Sequence, residues 1–260
     1  MTKLIERSVE NNIYTNTQGT KFTIIKYINT RNVRIKFLDK FGYEKDTRWD
    51  HVKNGSIKNP YFSFVFNVGY IGEGKYKSRI NGEKNLFYSK WVNMLNGCYG
   101  DKTKNNTSYI GCTVCEEWHN FQVFAEWCEE NYYEIDNESL ELDKDILIKG
   151  NKIYSPNTCI FVPHNINSIL NACDTKRGEY PIGVHYDSKI QKLKVQYMDQ
   201  ITNKRICVKT SFEINEEEEA FATYKTYKEK HIKEVAEIYK NKIPNILYRT
   251  LLEYKVEIND

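Results

Sequence analysis

The chain opens with short runs in which β-branched and aromatic residues recur at every second position, TKFTIIKYI and NVRIKFL above all, separated by Asn, Asp and Gly. In VRIKF, Val33, Ile35 and Phe37 fall on one side and Arg34 and Lys36 on the other, the spacing of a half-buried strand. With DTRWDHV counted as a further extended piece, these runs predict a small N-terminal β barrel or meander with a basic outer face, ending near Asn59-Pro60. The period then changes. Trp91, Met94 and Leu95 share one side of a helix predicted at about 86–97, and Trp118, Phe121, Phe124, Ala125 and Cys128 share one side of another at about 114–131. A short strand LELDKDIL (140–147), a turn at KGNK, an extended piece ending at IFVP and a helix from about Asn165 to Ala172 follow. Gly178 and Pro181 mark a boundary, after which three strands are predicted at 182–186, 192–198 and 205–210. A helix with Asn215 as cap and four glutamates in its first turn comes next, a charge placement that suits the helix dipole. Its apolar face is formed by Ala220, Tyr224 and Tyr227, or by Phe221 and Tyr224, and it runs to about Tyr239; Pro244 starts a short final helix.

The expected fold class is α+β, with several small modules in series. A basic β module spans 1–68, a glycine-containing linker 69–85, a mixed middle module 86–175, and a three-stranded antiparallel sheet with its helices 176–260. The joint GYIGEGKY reads as a flexible linker or as a phosphate loop. A phosphate loop needs Gly-Lys-Ser/Thr leading into a helix, and here Gly74-Lys75 is followed by Tyr76.

Charge sharpens this division. Residues 1–75 carry thirteen Lys/Arg against seven Asp/Glu, residues 116–145 eleven acids against Lys144 alone, and residues 189–209 six bases against Asp199 alone. Basic ends flanking an acidic centre suit a polyanion partner, although solvated surface gives the same counts. No run approaches the ~18 apolar residues of a membrane span, and MTKLIERSVENN has no apolar signal core. A cytoplasmic protein without a membrane partner is expected. The seven cysteines then read as reduced thiols. Cys112 and Cys115, two residues apart and near His119, could start a zinc site if Cys98, Cys159 or Cys173 completed the four ligands; buried thiols are the other reading.

In the last segment Leu193, Val195 and Tyr197 alternate with Lys192, Lys194, Gln196 and Met198, and Ile206 and Val208 with Arg205, Cys207 and Lys209. One face is expected to pack on the following helix. The other presents Lys192, Lys194, Gln196, Arg205 and Lys209, residue types that contact phosphates, guanine and adenine in a major groove. From Gly183-Val184 to EEEEAFATYKTYKE, over about 178–230, the order of elements resembles the Apetala-type, ethylene-response-factor-like DNA-binding domain. That resemblance implies binding of double-stranded DNA through the sheet. Strand arginines and tryptophans of the plant members are mostly lysines here, which puts sequence specificity in question.

The middle segment carries Trp91, Met94, Cys98-Tyr99, Val114-Cys115, Glu117-Trp118, Phe121, Phe124, Trp127, Leu142-Asp143-Lys144-Asp145, Tyr154-Ser155-Pro156, Cys159 and Asn167. In that order, over about 86–170, they resemble phage HNH-type homing endonucleases. The resemblance implies a ββα-metal finger with a divalent metal, Mg²⁺ in the first instance, and hydrolysis of DNA. No histidine occupies the strand position of the general base, where Leu142-Asp143-Lys144-Asp145 stands. By strand alternation Asp143 and Asp145 share a face suited to metal and Lys144 points away. Asn167 stands where the family's helix asparagine belongs, just after His164, so the residues expected to carry catalysis are Asp143, Asp145, Asn167 and His164.

Two readings follow for a phage or mobile-element protein in a bacterial host. One is a metal-dependent endonuclease or nickase of the homing type; the other is a DNA-binding regulator that has lost catalysis. A third, a phage factor that binds a host defence protein, rests on the acidic stretch from Glu116 to Glu138, which can imitate DNA.

Overall fold

The computed structural model describes residues 9–101, 109–135, 137–170 and 179–258. The chain is α+β and divides into two compact units, the first formed by residues 1–103 and 114–128, the second by 104–113 and 129–260. Cys173, Gly178 and the predicted helix end at 171–172 lie outside the described residues.

The first unit begins with a four-stranded antiparallel meander, β1 (Ile13–Thr15), β2 (Lys21–Asn29), β3 (Asn32–Phe37) and β4 (Glu44–Thr47), hydrogen-bonded in that order. Phe22 lies opposite Phe37 and Ile24 opposite Ile35, so the predicted alternation becomes a stack of apolar pairs on one face. Val33, Ile35 and Phe37 are buried, and Val52 and Ile57 close the same core. DTRWDHV does not continue as strand. After β4 it turns into a short helix, α1 (Trp49–Lys53), which aims the Trp49 ring edge-on at Tyr27 with centroids 5.8 Å apart.

A two-residue hairpin, β5 (Arg79–Ile80) and β6 (Glu83–Lys84), precedes helix α2 (Leu86–Tyr99), whose cap is the Asn85 side chain accepting from the Phe87 N–H. After β7 (Thr113–Val114), the run predicted as one helix breaks at Asn120 into a 3₁₀ turn (Glu116–His119) and helix α3 (Phe121–Asn131). Trp91, Leu95, Trp118, Phe121 and Phe124 are fully buried, and the Trp91 indole donates to the Trp118 carbonyl at 2.7 Å. The expected flexible linker is pinned to this core. The Gln122 amide donates to the carbonyls of Ile71 and Tyr76, and its oxygen accepts from the Tyr76 N–H at 2.9 Å. Gly72, at φ +73°, passes so close to Asn120 that a Cβ there would lie 2.1 Å from its side-chain oxygen. The glycines mark close approach and not slack.

In the second unit, β8 (Leu140–Asp143) pairs antiparallel with β10 (Ile160–Pro163), with β9 (Ile153–Tyr154) in the connection and helix α4 (His164–Leu170) following directly. This is a ββα hairpin. The strand predicted at 140–147 stops at Asp143, because the Asp143 carboxylate accepts from the N–H groups of Asp145 and Ile146 and turns the chain. The C-terminal sheet has the order β11 (Val184–Asp187), β12 (Lys192–Asp199) and β13 (Lys204–Phe212). Helix α5 (Glu217–Tyr239) packs on it, and α6 (Asn245–Glu253) follows Pro244. The entry cap is not Asn215. A 3₁₀ turn precedes the helix, and Glu213 and Glu216 close a reciprocal capping box. Ala220, Tyr224, Lys228, His231, Ile232 and Val235 form the buried stripe of α5, whereas Tyr227 is exposed. Ile160, Val162 and Ile166 of the hairpin share one core with Leu193, Val195 and Phe212 of the sheet. The two segments that the sequence divides near residue 175 therefore fold as one body.

Candidate nucleic-acid interface

Strand β12 sets the two faces of the C-terminal sheet. Leu193 and Val195 are fully buried against α5, joined by Val184 of β11 and Phe212 of β13. At roughly 1.5–3 kcal/mol for each large apolar side chain, this burial fixes which way the strands face. At the start of β11, Gly183 at φ +76° leaves room for the Tyr224 ring, which a Cβ would meet at 2.0 Å.

Cross-strand register composes the outer face. His185 lies opposite Lys194, Asp187 opposite Lys192, Gln196 opposite Cys207 and Met198 opposite Arg205. The Lys194 ammonium is 3.2 Å from the Asp187 carboxylate, and Lys192 donates to Glu213 at 2.7 Å. Hydrogen bonds from the Lys189 N–H and the Lys194 ammonium hold the Asp187 carboxyl below its ordinary range, and Glu213 raises the Lys192 ammonium. Arg205 is exposed and has no ion pair with any described residue. His185 is pushed toward its neutral form by desolvation of its ring and then by Arg205 and Lys194 nearby. Its place on this face is legible as the polar partner of Val184 in the alternating run IGVHY, a signal that a count of charges misses. The face thus combines cations, a neutral imidazole, an amide and a thiol on a sheet whose other side is closed. Its ion pairs are half-exposed and within reach of solvent, so phosphate can replace the carboxylates.

Lys209 does not join the row. An irregularity in the β12–β13 register sets it opposite buried Val195, and its ammonium lies 3.9 Å from the centroid of the Phe212 ring. Lys192, Lys194, Gln196 and Arg205 remain on the outer face.

At the ββα hairpin the expected metal residues have other attachments. Asp143 caps its own turn; burial and then the neighbouring Asp145 push its carboxyl up to about 6. Lys144, expected to point away, is buried, with its ammonium 3.3 Å from the Asp145 carboxylate. Strand alternation does not carry on to Asp145 because the strand ends at Asp143. On α4, the His164 imidazole meets Glu141 at 2.6 Å, and the Asn167 amide donates to the other oxygen of the same carboxylate. Glu141, which sequence reasoning misses, is the residue that gathers His164 and Asn167; its signal is its position two residues before Asp143 on the same strand face. Asp143 is thus engaged by its own turn, Asp145 by Lys144 and Asn167 by Glu141. Among the described residues no group of three His, Cys, Asp or Glu is arranged to hold a metal ion.

Cys112 is buried, and burial raises the Cys115 thiol above its ordinary range. His119 is engaged by the Val114 carbonyl at 3.2 Å. No helix among the described residues is long and apolar enough to cross a membrane. Comparison with protein-family models, with curated proteins and with solved structures finds no match to this chain.

Proposed function

We propose that this protein binds double-stranded DNA through the outer face of its C-terminal sheet and belongs with DNA-binding proteins of the phage or mobile-element kind. The observation that carries the reading is the row Lys194, His185, Gln196 and Arg205 on a sheet whose reverse face is locked into the core. Lys192 and Lys194 exchange half-exposed carboxylate partners for phosphates, while Arg205 and Gln196 are of the types that read base edges in a major groove. The sheet is rigid before binding, so little ordering cost accompanies association. A gel-shift titration tests this: Lys194→Ala with Arg205→Ala abolishes most of the shift on duplex DNA at moderate salt, and an undiminished shift rejects the sheet as the interface.

A second reading, DNA hydrolysis at the ββα hairpin, is favoured by one observation. His164 is an exposed imidazole oriented by the Glu141 carboxylate, and Asn167 steadies that carboxylate. In such a dyad His164 would move the proton and Glu141 would fix its tautomer. Asp143, Asp145 and Asn167 are engaged by their own turn, by Lys144 and by Glu141, and the proton-moving role falls to His164. Incubation of plasmid DNA with the protein, with Mg²⁺ and with EDTA, tests this reading. Nicking that disappears in His164→Ala supports it, and intact plasmid under both conditions rejects it.

A further inference from the structure

We infer that a cleft in the first unit is a separate binding site for the phosphodiester backbone of a nucleic acid. The cleft, of about 610 Å³, lies between the edge strand β4 and the segment around Ile57, and is lined by Arg31, Lys45, Asp46, Arg48, His51 and Lys58. Four cations face one carboxylate across it. Asp46 is in addition 3.9 Å from Arg34, which offsets part of its charge. Arg48 reaches Asp50 at 3.1 Å and Lys58 donates to the Thr17 hydroxyl at 2.9 Å, both exposed contacts. Arg31 and Lys45 form no ion pair with any described residue.

The floor is rigid. Ile57 is buried in the meander core, and the buried Asn16 amide donates to the Ile57 carbonyl at 2.9 Å while its oxygen accepts from the N–H groups of Gln18 and Thr20. Lys45 shares the side of the sheet of its cross-strand partner Ile35, whereas Arg34 and Lys36 lie on the other side. A preformed cationic cleft of this size, larger than one phosphate group, suits several linked phosphates better than a single anion. Phosphate contacts of this kind carry affinity and position without reading sequence.

The test is fluorescence anisotropy of the full chain with a labelled random-sequence duplex, titrated between about 50 and 200 mM salt. Arg31→Ala with Lys45→Ala is expected to weaken binding roughly tenfold and to flatten the dependence of log K on log salt by about 0.9 for each phosphate no longer neutralised. Arg31→Lys with Lys45→Arg is expected to restore both, which separates a charge effect from misfolding. Unchanged affinity and slope in the alanine pair overturn the inference. Inorganic pyrophosphate that displaces the duplex at equal phosphate concentration overturns it in favour of a small-anion pocket, and equally tight binding of poly-glutamate overturns it in favour of an acidic protein.

Discussion

The two larger antiparallel sheets, one in each unit, alternate apolar and cationic residues in the same manner and yet use their outward cations differently. In the N-terminal meander, Arg34 is opposite Asp46 and Lys36 opposite Glu44, with Arg34 and Lys36 each 3.3 Å from Glu44. Glu44 and Asp46 offset Arg34 and Lys36 on that face, with Lys26 opposite Arg34 on its other side. In the C-terminal sheet the acids stand at the ends, Asp187 and Glu213, and Arg205 is opposite Met198. The lesson is that a count of lysines and arginines along a strand does not measure the field the strand presents. The cross-strand neighbour decides it.

The largest test of this contrast concerns the faces themselves. Leu193→Ala, on the buried side of β12, should cost about 3 kcal/mol in urea unfolding, whereas adjacent Lys194→Ala should cost less than about 0.5 kcal/mol. Similar costs for the two would mean that the sheet is not one-sided.

The helix behind that sheet carries a lysine where an apolar residue is the usual choice. Lys228 is buried, has no acidic partner among the described residues, and desolvation lowers its ammonium from 10.5 to about 8. A folded-state value below the unfolded one means the unfolded chain holds more protons between the two. Stability should therefore rise with pH from about 8 to 10.5. Lys228→Met should add about 1–3 kcal/mol at neutral pH, and the gain should vanish above pH 10.5, as thermal unfolding across that range would report.

Binding gives a sharper division between the sheets. Lys194→Ala with Arg205→Ala should weaken duplex binding by about 1.4 kcal/mol, or tenfold, while Arg34→Ala with Lys36→Ala should change it less than about twofold. Equal losses from the two pairs would erase the contrast. The smallest effect should be a gain: Glu44→Gln frees Arg34 and Lys36 and should tighten binding at low salt by about twofold, a difference that screening removes at high salt.

Much of the architecture was legible in the sequence. The alternation in VRIKF and KLKVQYM and the helical spacing of Trp91, Met94 and Leu95 identified buried positions, because burial follows local periodicity. The candidate interface was legible in part. Lys192, Lys194, Gln196 and Arg205 share a face as the pattern predicts, but Lys209 is carried off it by a register irregularity that alternation alone does not encode. At the hairpin the pattern misled. Alternation makes Asp143 and Asp145 strand neighbours, although an aspartate that can cap its own backbone ends the strand there.

By itself the sequence determined an α+β chain, the faces of its strands and the apolar stripes of its helices, since each depends on residues a few positions apart. Tertiary structure alone decided which cations keep a free charge, which carboxylate gathers His164 and Asn167, and that the glycine-rich joint is pinned by Gln122. Those outcomes depend on groups brought together from 7 to 51 positions apart, through cross-strand register and packing, and no local period specifies such partners.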